Sequence, residues 1–125
     1  MKLEYRDGFL FTSIIVQYHG KSIKIDNIVV DTGASYCIIE PNAIESLGIT
    51  SSKHDEIEIF YGVNGIYSYI KRTADCIMLD QFALNDISFY IGTVDDNING
   101  LLGLDALIKS GALIDLKNMK IVFNI

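Results

Sequence analysis

Val29-Val30-Asp31-Thr32-Gly33-Ala34-Ser35 is the stretch on which the reading of this chain turns. Two β-branched residues close an apolar run that reads as a strand buried on both faces, and an ionisable carboxyl follows at once. Taking a carboxylate out of water is unfavourable unless it is hydrogen-bonded or has chemistry to perform. The Thr32 hydroxyl is suited to hold a tight loop, and Gly33, without a Cβ, leaves room for another backbone to approach. Taken alone, the tripeptide is equally a turn that caps a strand, a common use of Asp, Thr and Gly.

Outward from this point the pattern is one of short strands and turns. Residues 9–18 and 22–30 are rich in Ile, Val, Phe and Tyr and are divided by His19-Gly20-Lys21, a hairpin signature. A short strand is expected near 36–39, and Pro41 and Gly48 bracket a helix of barely two turns. Alternation over 56–71 around Val63-Asn64-Gly65 predicts a second hairpin, because Asn-Gly accepts positive φ. Strands are expected at 76–79 and 87–94, followed by a polar loop at Asp95-Asp96-Asn97. The spacing of Leu104, Leu107 and Ile108 predicts a helix over 104–110, with Asp105 near its start and Gly111 as its stop. Two last strands, 112–116 and 120–125, flank Lys117-Asn118. The fold class is therefore all-β, with one short C-terminal helix and a second, marginal one.

Composition narrows the function. At 125 residues, half of them hydrophobic, the chain is long enough to bury a core as one domain spanning 1–125. A single proline and the lack of repeats give no sign of a linker. A net charge of -6, scattered rather than massed, argues against nucleic acid as a partner. Apolar runs such as 28–30 and 37–39 fall far short of the roughly 20 residues a membrane helix needs. Lys2, Glu4, Arg6 and Asp7 are incompatible with the apolar core of a secretory signal, so a cytoplasmic location is expected.

Cys37 and Cys76 are too few for a disulfide framework and lack zinc-site spacing. Cys37 reads as a small buried hydrophobe. His19 sits in a hairpin turn and His54 in a polar loop, which leaves no evident base for a cysteine nucleophile. Asp95, Asp96, Asn97 and Asn99 lack the spacing of a calcium loop, and neither metal nor cofactor is expected. Tyr61, beside the second hairpin tip, reads first as packing and second as a pocket residue.

Two further segments join the first. Gly62-Val63-Asn64-Gly65 is a glycine-bracketed hairpin tip, and Asn99-Gly100-Leu101-Leu102-Gly103-Leu104-Asp105 places a Leu-Leu-Gly step before a helix. With these motifs in this order, the chain resembles the retropepsin family of aspartic peptidases over roughly residues 9–123. Gly103-Leu104-Asp105-Ala106-Leu107 and Ile114-Asp115-Leu116 look closer to its cellular and bacterial branch.

The resemblance implies a closed retropepsin-like barrel that forms a single lobe of a homodimer. It makes Asp31 the catalytic aspartate and Thr32, Gly33 and Ala34 the active-site loop, with the Thr32 hydroxyl bonding across the dimer. Gly33 and Ser35 would meet the backbone of a polypeptide substrate, and Gly62, Val63, Asn64 and Gly65 would form a flap closing over it. Leu101, Leu102 and Gly103 would pack behind the loop. Asp105 reads as a helix cap.

Peptide hydrolysis by this route needs two aspartates, one ionised to activate water and one protonated to donate to the carbonyl oxygen. This chain has one Asp-Thr-Gly, so a two-fold axis must supply the second. Sharing of a proton between the two is known behaviour of aspartic peptidases. Pepsin-like relatives usually carry Ser or Thr where Ala34 stands, and the missing hydroxyl leads us to expect a mildly rather than strongly acidic optimum. The rival reading is a catalytically silent dimerisation or protein-binding module of the same fold. Its weakness is Asp31, for which such a module has no evident need.

Overall fold

The structure, a computed structural model, describes residues 1–49, 56–62, 65–95 and 97–123. The chain begins with two tight hairpins. Strand β1 (Glu4–Arg6) turns at Asp7-Gly8 into β2 (Phe9–Tyr18), and β2 turns at His19-Gly20 into β3 (Lys21–Val30). Both residues of each turn have positive φ, 51° and 87° in the first and 47° and 79° in the second. That geometry matches the twist of the strands and is the one Asp-Gly and His-Gly tolerate. Along β2 and β3, Thr12 pairs with Ile28 but Ile14 pairs with Ile25, so β3 carries one extra residue. Asn27, with a φ of 56°, absorbs this bulge.

After β3 come β4 (Ile38–Ile39), α1 (Pro41–Ile44) with a 3-10 turn at Glu45–Leu47, β5 (Glu56–Gly62) and β6 (Gly65–Thr73). Then follow β7 (Cys76–Leu79), β8 (Phe82–Asn85), β9 (Ser88–Ile91), β10 (Gly100–Leu102), α2 (Leu104–Ser110), β11 (Ala112–Asp115) and β12 (Lys120–Phe123). Strands β5 and β6 pair in register from Glu56↔Lys71 to Gly62↔Gly65. The tip residues Val63 and Asn64, along with His54 and the side chain of Tyr61, lie outside the described residues.

Among the described residues ten strands form one sheet, in the order β5-β6-β9-β4-β10-β3-β2-β7-β8 with β1 on β2. Its path has two ends, β5 and β8, and curls into a half-barrel. Pairing is antiparallel except at β10–β3 and β4–β9. Ile28, Ile39, Ile77, Leu79, Phe89 and Leu102 are fully buried in the core, each worth about 1.5–3 kcal/mol of burial.

Three differences from the sequence expectations have physical causes. Strand β8 escapes notice because its turn, Asp80-Gln81, has no glycine, although Asp80 takes a φ of 57° there. The strand expected over 87–94 is shorter, since Gly92 makes a last bond to the Ile39 carbonyl before the chain leaves the sheet. Ile108, expected on the buried face of α2, is 74% exposed. The buried stripe runs through Ala106, Leu107 and Ser110 instead, and small residues there let the helix sit close to the sheet.

The β11–β12 turn is held by Asp115, whose carboxylate accepts from the Asn118 side-chain amide at 2.8 Å and its backbone N–H at 3.0 Å. These two bonds, the side-chain amide first, hold the Asp115 carboxyl below the ordinary carboxylate range. A depressed folded value means that the turn gains stability above the unfolded carboxyl's range and loses it as pH falls through the lowered value. Asn118→Ala is therefore expected to raise the Asp115 midpoint toward its ordinary value in a carboxyl NMR titration. An unchanged midpoint would contradict this account.

Candidate active site

Strands β3 and β4 lie on opposite sides of β10. Val30 pairs with Leu102 in the parallel β3–β10 ladder, and Ile38 pairs with Leu101 in the antiparallel β4–β10 ladder. The chain between them, residues 31–37, has to cross the end of β10. It does so as a tight loop, in which the Asp31 N–H donates to the Leu102 carbonyl (3.0 Å) and the Ala34 N–H donates to the Asp31 carbonyl (3.1 Å).

Helix α2 begins at the same place. The Leu104 N–H donates to the Ala34 carbonyl (2.8 Å) and the Asp105 N–H to the Ser35 carbonyl (3.2 Å). The first N–H groups of a helix have no partner within it, so the loop and the helix end satisfy each other. Gly103 makes this closeness feasible, because a Cβ there would lie 2.5 Å from the Tyr36 carbonyl oxygen.

The side chain of Asp31 is thereby presented at a loop crest, half-buried. Its Oδ1 accepts the Gly33 N–H at 2.8 Å, a charge-assisted bond. A Cβ on Gly33 would approach that same oxygen to 3.1 Å, so glycine keeps the carboxylate uncrowded. Thr32, Gly33 and Ser35 are exposed and Ala34 is half-buried. Phe11, Val29 and Ile98 form a small apolar cluster of their own, with Val94 and Leu101 against it.

Asp31 opens onto a cleft of about 450 Å³ whose lining includes Phe9, Leu10, Val30, Tyr69 and Val94. Sequence reading did not anticipate these walls, since they come from separate strands and loops. Tyr69, on the second strand of the β5–β6 hairpin, lies directly on Gly92, where any Cβ would overlap its ring. The base of that hairpin is thus seated on the cleft wall. Gly62 is the last residue of β5 and Gly65 the first of β6. A larger groove of about 970 Å³, with Arg6, Lys24 and Asp26 in its lining, does not include Asp31; placement of a reactive group, not volume, singles out the smaller one.

Cys37 and His19 have structural partners. Cys37 is fully buried, and burial, with the Asp105 charge second, pushes its thiol well above the usual range. A cysteine nucleophile needs the opposite shift. His19 stacks on Tyr18 with ring centroids 4.0 Å apart. Among the described residues no three His, Cys, Asp or Glu side chains gather as a metal site would require, and no helix is long and apolar enough to cross a membrane.

This arrangement of curled sheet, crossing loop and short helix is a retropepsin-like aspartic protease fold. A retropepsin-like aspartic protease from Rickettsia conorii, solved as a crystal structure, is similar at 26% sequence identity and a TM-score of 0.68, with 95% of this chain and 93% of that one covered. The comparison with curated proteins gives no match. The family profile for aspartyl protease matches residues 14–106, and the chain belongs to that family.

The close approach at Gly103 is open to test. Gly103→Ala forces a methyl against the Tyr36 backbone and is expected to cost about 1–3 kcal/mol, read as a lower urea midpoint. A midpoint equal to that of the native sequence would show that the loop and β10 are not so tightly apposed.

Proposed function

We propose that this chain is an aspartic endopeptidase that acts as a homodimer, each copy supplying one Asp31 to a shared catalytic pair. The observation that carries the reading is the Asp31 carboxylate held at the end of a tight loop and lining a cleft, with the Gly33 amide as its local donor. Membership of the aspartyl protease family supports it. So does the exposure of Thr32 and Gly33, which leaves the outer side of the loop open to a second copy.

In this reading one Asp31 is ionised and takes a proton from a water held between the two carboxylates. The other is protonated and donates to the oxygen of the scissile carbonyl, giving a tetrahedral diol without a covalent intermediate. Thr32 steadies the two loops against each other across the axis, while Gly33 and Ser35 meet the substrate backbone. An extended polypeptide would lie in the cleft as an added strand, covered by the hairpin tip at Gly62, Val63, Asn64 and Gly65. Residues 1–125 act as one domain, and closure of the barrel belongs to the same proposal.

Asp31→Asn keeps the shape of the side chain while removing its acid–base chemistry. It is expected to lower cleavage of a quenched peptide substrate by at least about 10³-fold with an unchanged circular dichroism spectrum. A variant that cleaves as well as the native sequence would exclude the mechanism, and a native chain without turnover but with partner binding would favour a silent module. The rate should peak at mildly acidic pH, because Ala34 offers no hydroxyl to the carboxylate. A strongly acidic peak, at about pH 2, would contradict that part.

A further inference from the structure

Asp105 was expected as a helix cap, but Gly103 holds the N-cap position and Asp105 lies in the first turn of α2. Its Oδ1 accepts the N–H of its neighbour Ala106 at 2.7 Å, a contact within the first turn. The same oxygen also accepts the thiol of Cys37 at 3.2 Å, and its Oδ2 accepts the Cys37 backbone N–H at 3.2 Å. Two of the three donors on this carboxylate therefore come from the far end of the 31–37 loop, 68 positions away in sequence. The main chain of Asp105 adds a fourth bond, from its N–H to the Ser35 carbonyl at 3.2 Å.

These bonds grip the loop on both sides of Tyr36. Ala34, one residue before Ser35, bonds to the Asp31 carbonyl and to the first N–H of α2. A shift of the segment 35–37 would thus pass through Ala34, whose N–H is bonded to the Asp31 carbonyl, to Asp31. Cys37 suits its role as donor. It is fully buried, and burial, reinforced by the nearby carboxylate, keeps the proton on sulfur.

We infer that Asp105 is a positioning residue that fixes the catalytic loop, and through it the direction of the Asp31 carboxylate, by clamping Cys37. The inference rests on the proposed peptidase reading only for its catalytic consequence. The clamp itself is a claim about loop order. Asparagine at 105 keeps one acceptor but turns an NH₂ toward a backbone or thiol donor, so at least one of the bonds is lost. Alanine at 37 removes the thiol donor alone, and serine at 37 restores a side-chain donor.

The test is amide hydrogen exchange together with steady-state kinetics on the native chain, Asp105→Asn, Cys37→Ala and Cys37→Ser. The clamp predicts that exchange at Gly33, Ala34 and Cys37 rises about 10-fold or more in Asp105→Asn while amides of β2 and β7 keep their protection. It also predicts that kcat falls by up to roughly 10²-fold with little change in KM. Cys37→Ala should follow in milder form, and Cys37→Ser should recover most of the loss. Loop amides that exchange as in the native chain, or that loosen only in step with the whole sheet, would overturn the inference. Should Asp105→Asn fail to fold, the contrast between alanine and serine at 37 decides the matter by the same readouts. If loop exchange responds as described but the native chain hydrolyses no peptide, the clamp stands and the peptidase reading falls. If the native chain is active and Asp105→Asn keeps its kcat, the reading stands and the inference falls.

Discussion

The crossing of the 31–37 loop over the end of β10 is the constraint from which the rest of the site follows. Strands β3 and β4 both pair with β10 and not with each other, so the connection between them cannot be a simple hairpin. A loop forced over a strand end exposes carbonyls that the sheet cannot satisfy, and a helix that starts at the same strand end exposes N–H groups that it cannot satisfy either. Placing α2 directly after β10 lets each deficit cancel the other, through the bonds from Leu104 and Asp105 to Ala34 and Ser35. A single carboxylate is left projecting from a segment whose backbone is bonded at Asp31, Gly33, Ala34, Ser35 and Cys37. Orientation of a reacting group by a rigid scaffold is where much of an enzyme's rate advantage originates.

The packing around the loop serves the same end. Leu102, fully buried, anchors β10 in the main core, while the smaller cluster of Phe11, Val29 and Ile98 lies beneath the cleft. Glycine occurs where backbones or rings come too close for a Cβ, at Gly103 against Tyr36 and at Gly92 against Tyr69. By contrast, the outward side of the loop, at Thr32 and Gly33, is exposed. A reactive group thus sits at the border between a well-packed interior and an open surface, which is where a second copy could meet it.

Much of this was legible from residues in sequence order, and the reasons for success and failure are physical. Strands β2 and β3 and helix α2 announce themselves through long apolar patterns and strong turn or stop residues such as His19-Gly20 and Gly111. Strand β1 hides behind charged Glu4 and Arg6, although Asp7-Gly8 carried a usable turn signal, and β8 hides behind the glycine-free turn Asp80-Gln81. The three residues of β10 read as a motif and not as a strand, because a run that short has no measurable period. Periodicity also says nothing of partners, so the parallel pairing of β10 with β3 was out of reach. So was the contact of Asp105 with Cys37. Cys37 was read correctly as a buried small side chain, whereas Asp105 was expected as a cap and stands instead inside the first turn, after the N-cap Gly103; their bond depends on a crossing that only the assembled sheet defines. The walls of the cleft at Leu10, Tyr69 and Val94 escaped for the same reason.

The account as a whole comes down to whether two copies of this chain bring their acids together. A crystal structure of the protein as it assembles in solution measures this directly, as the separation of the two Asp31 carboxylates. The account predicts a two-fold axis at the loop crest with the carboxyl groups about 3 Å apart, a single water bridging them. An assembly that keeps the Asp31 side chains on distant faces, or a chain that stays monomeric at every concentration, would contradict it.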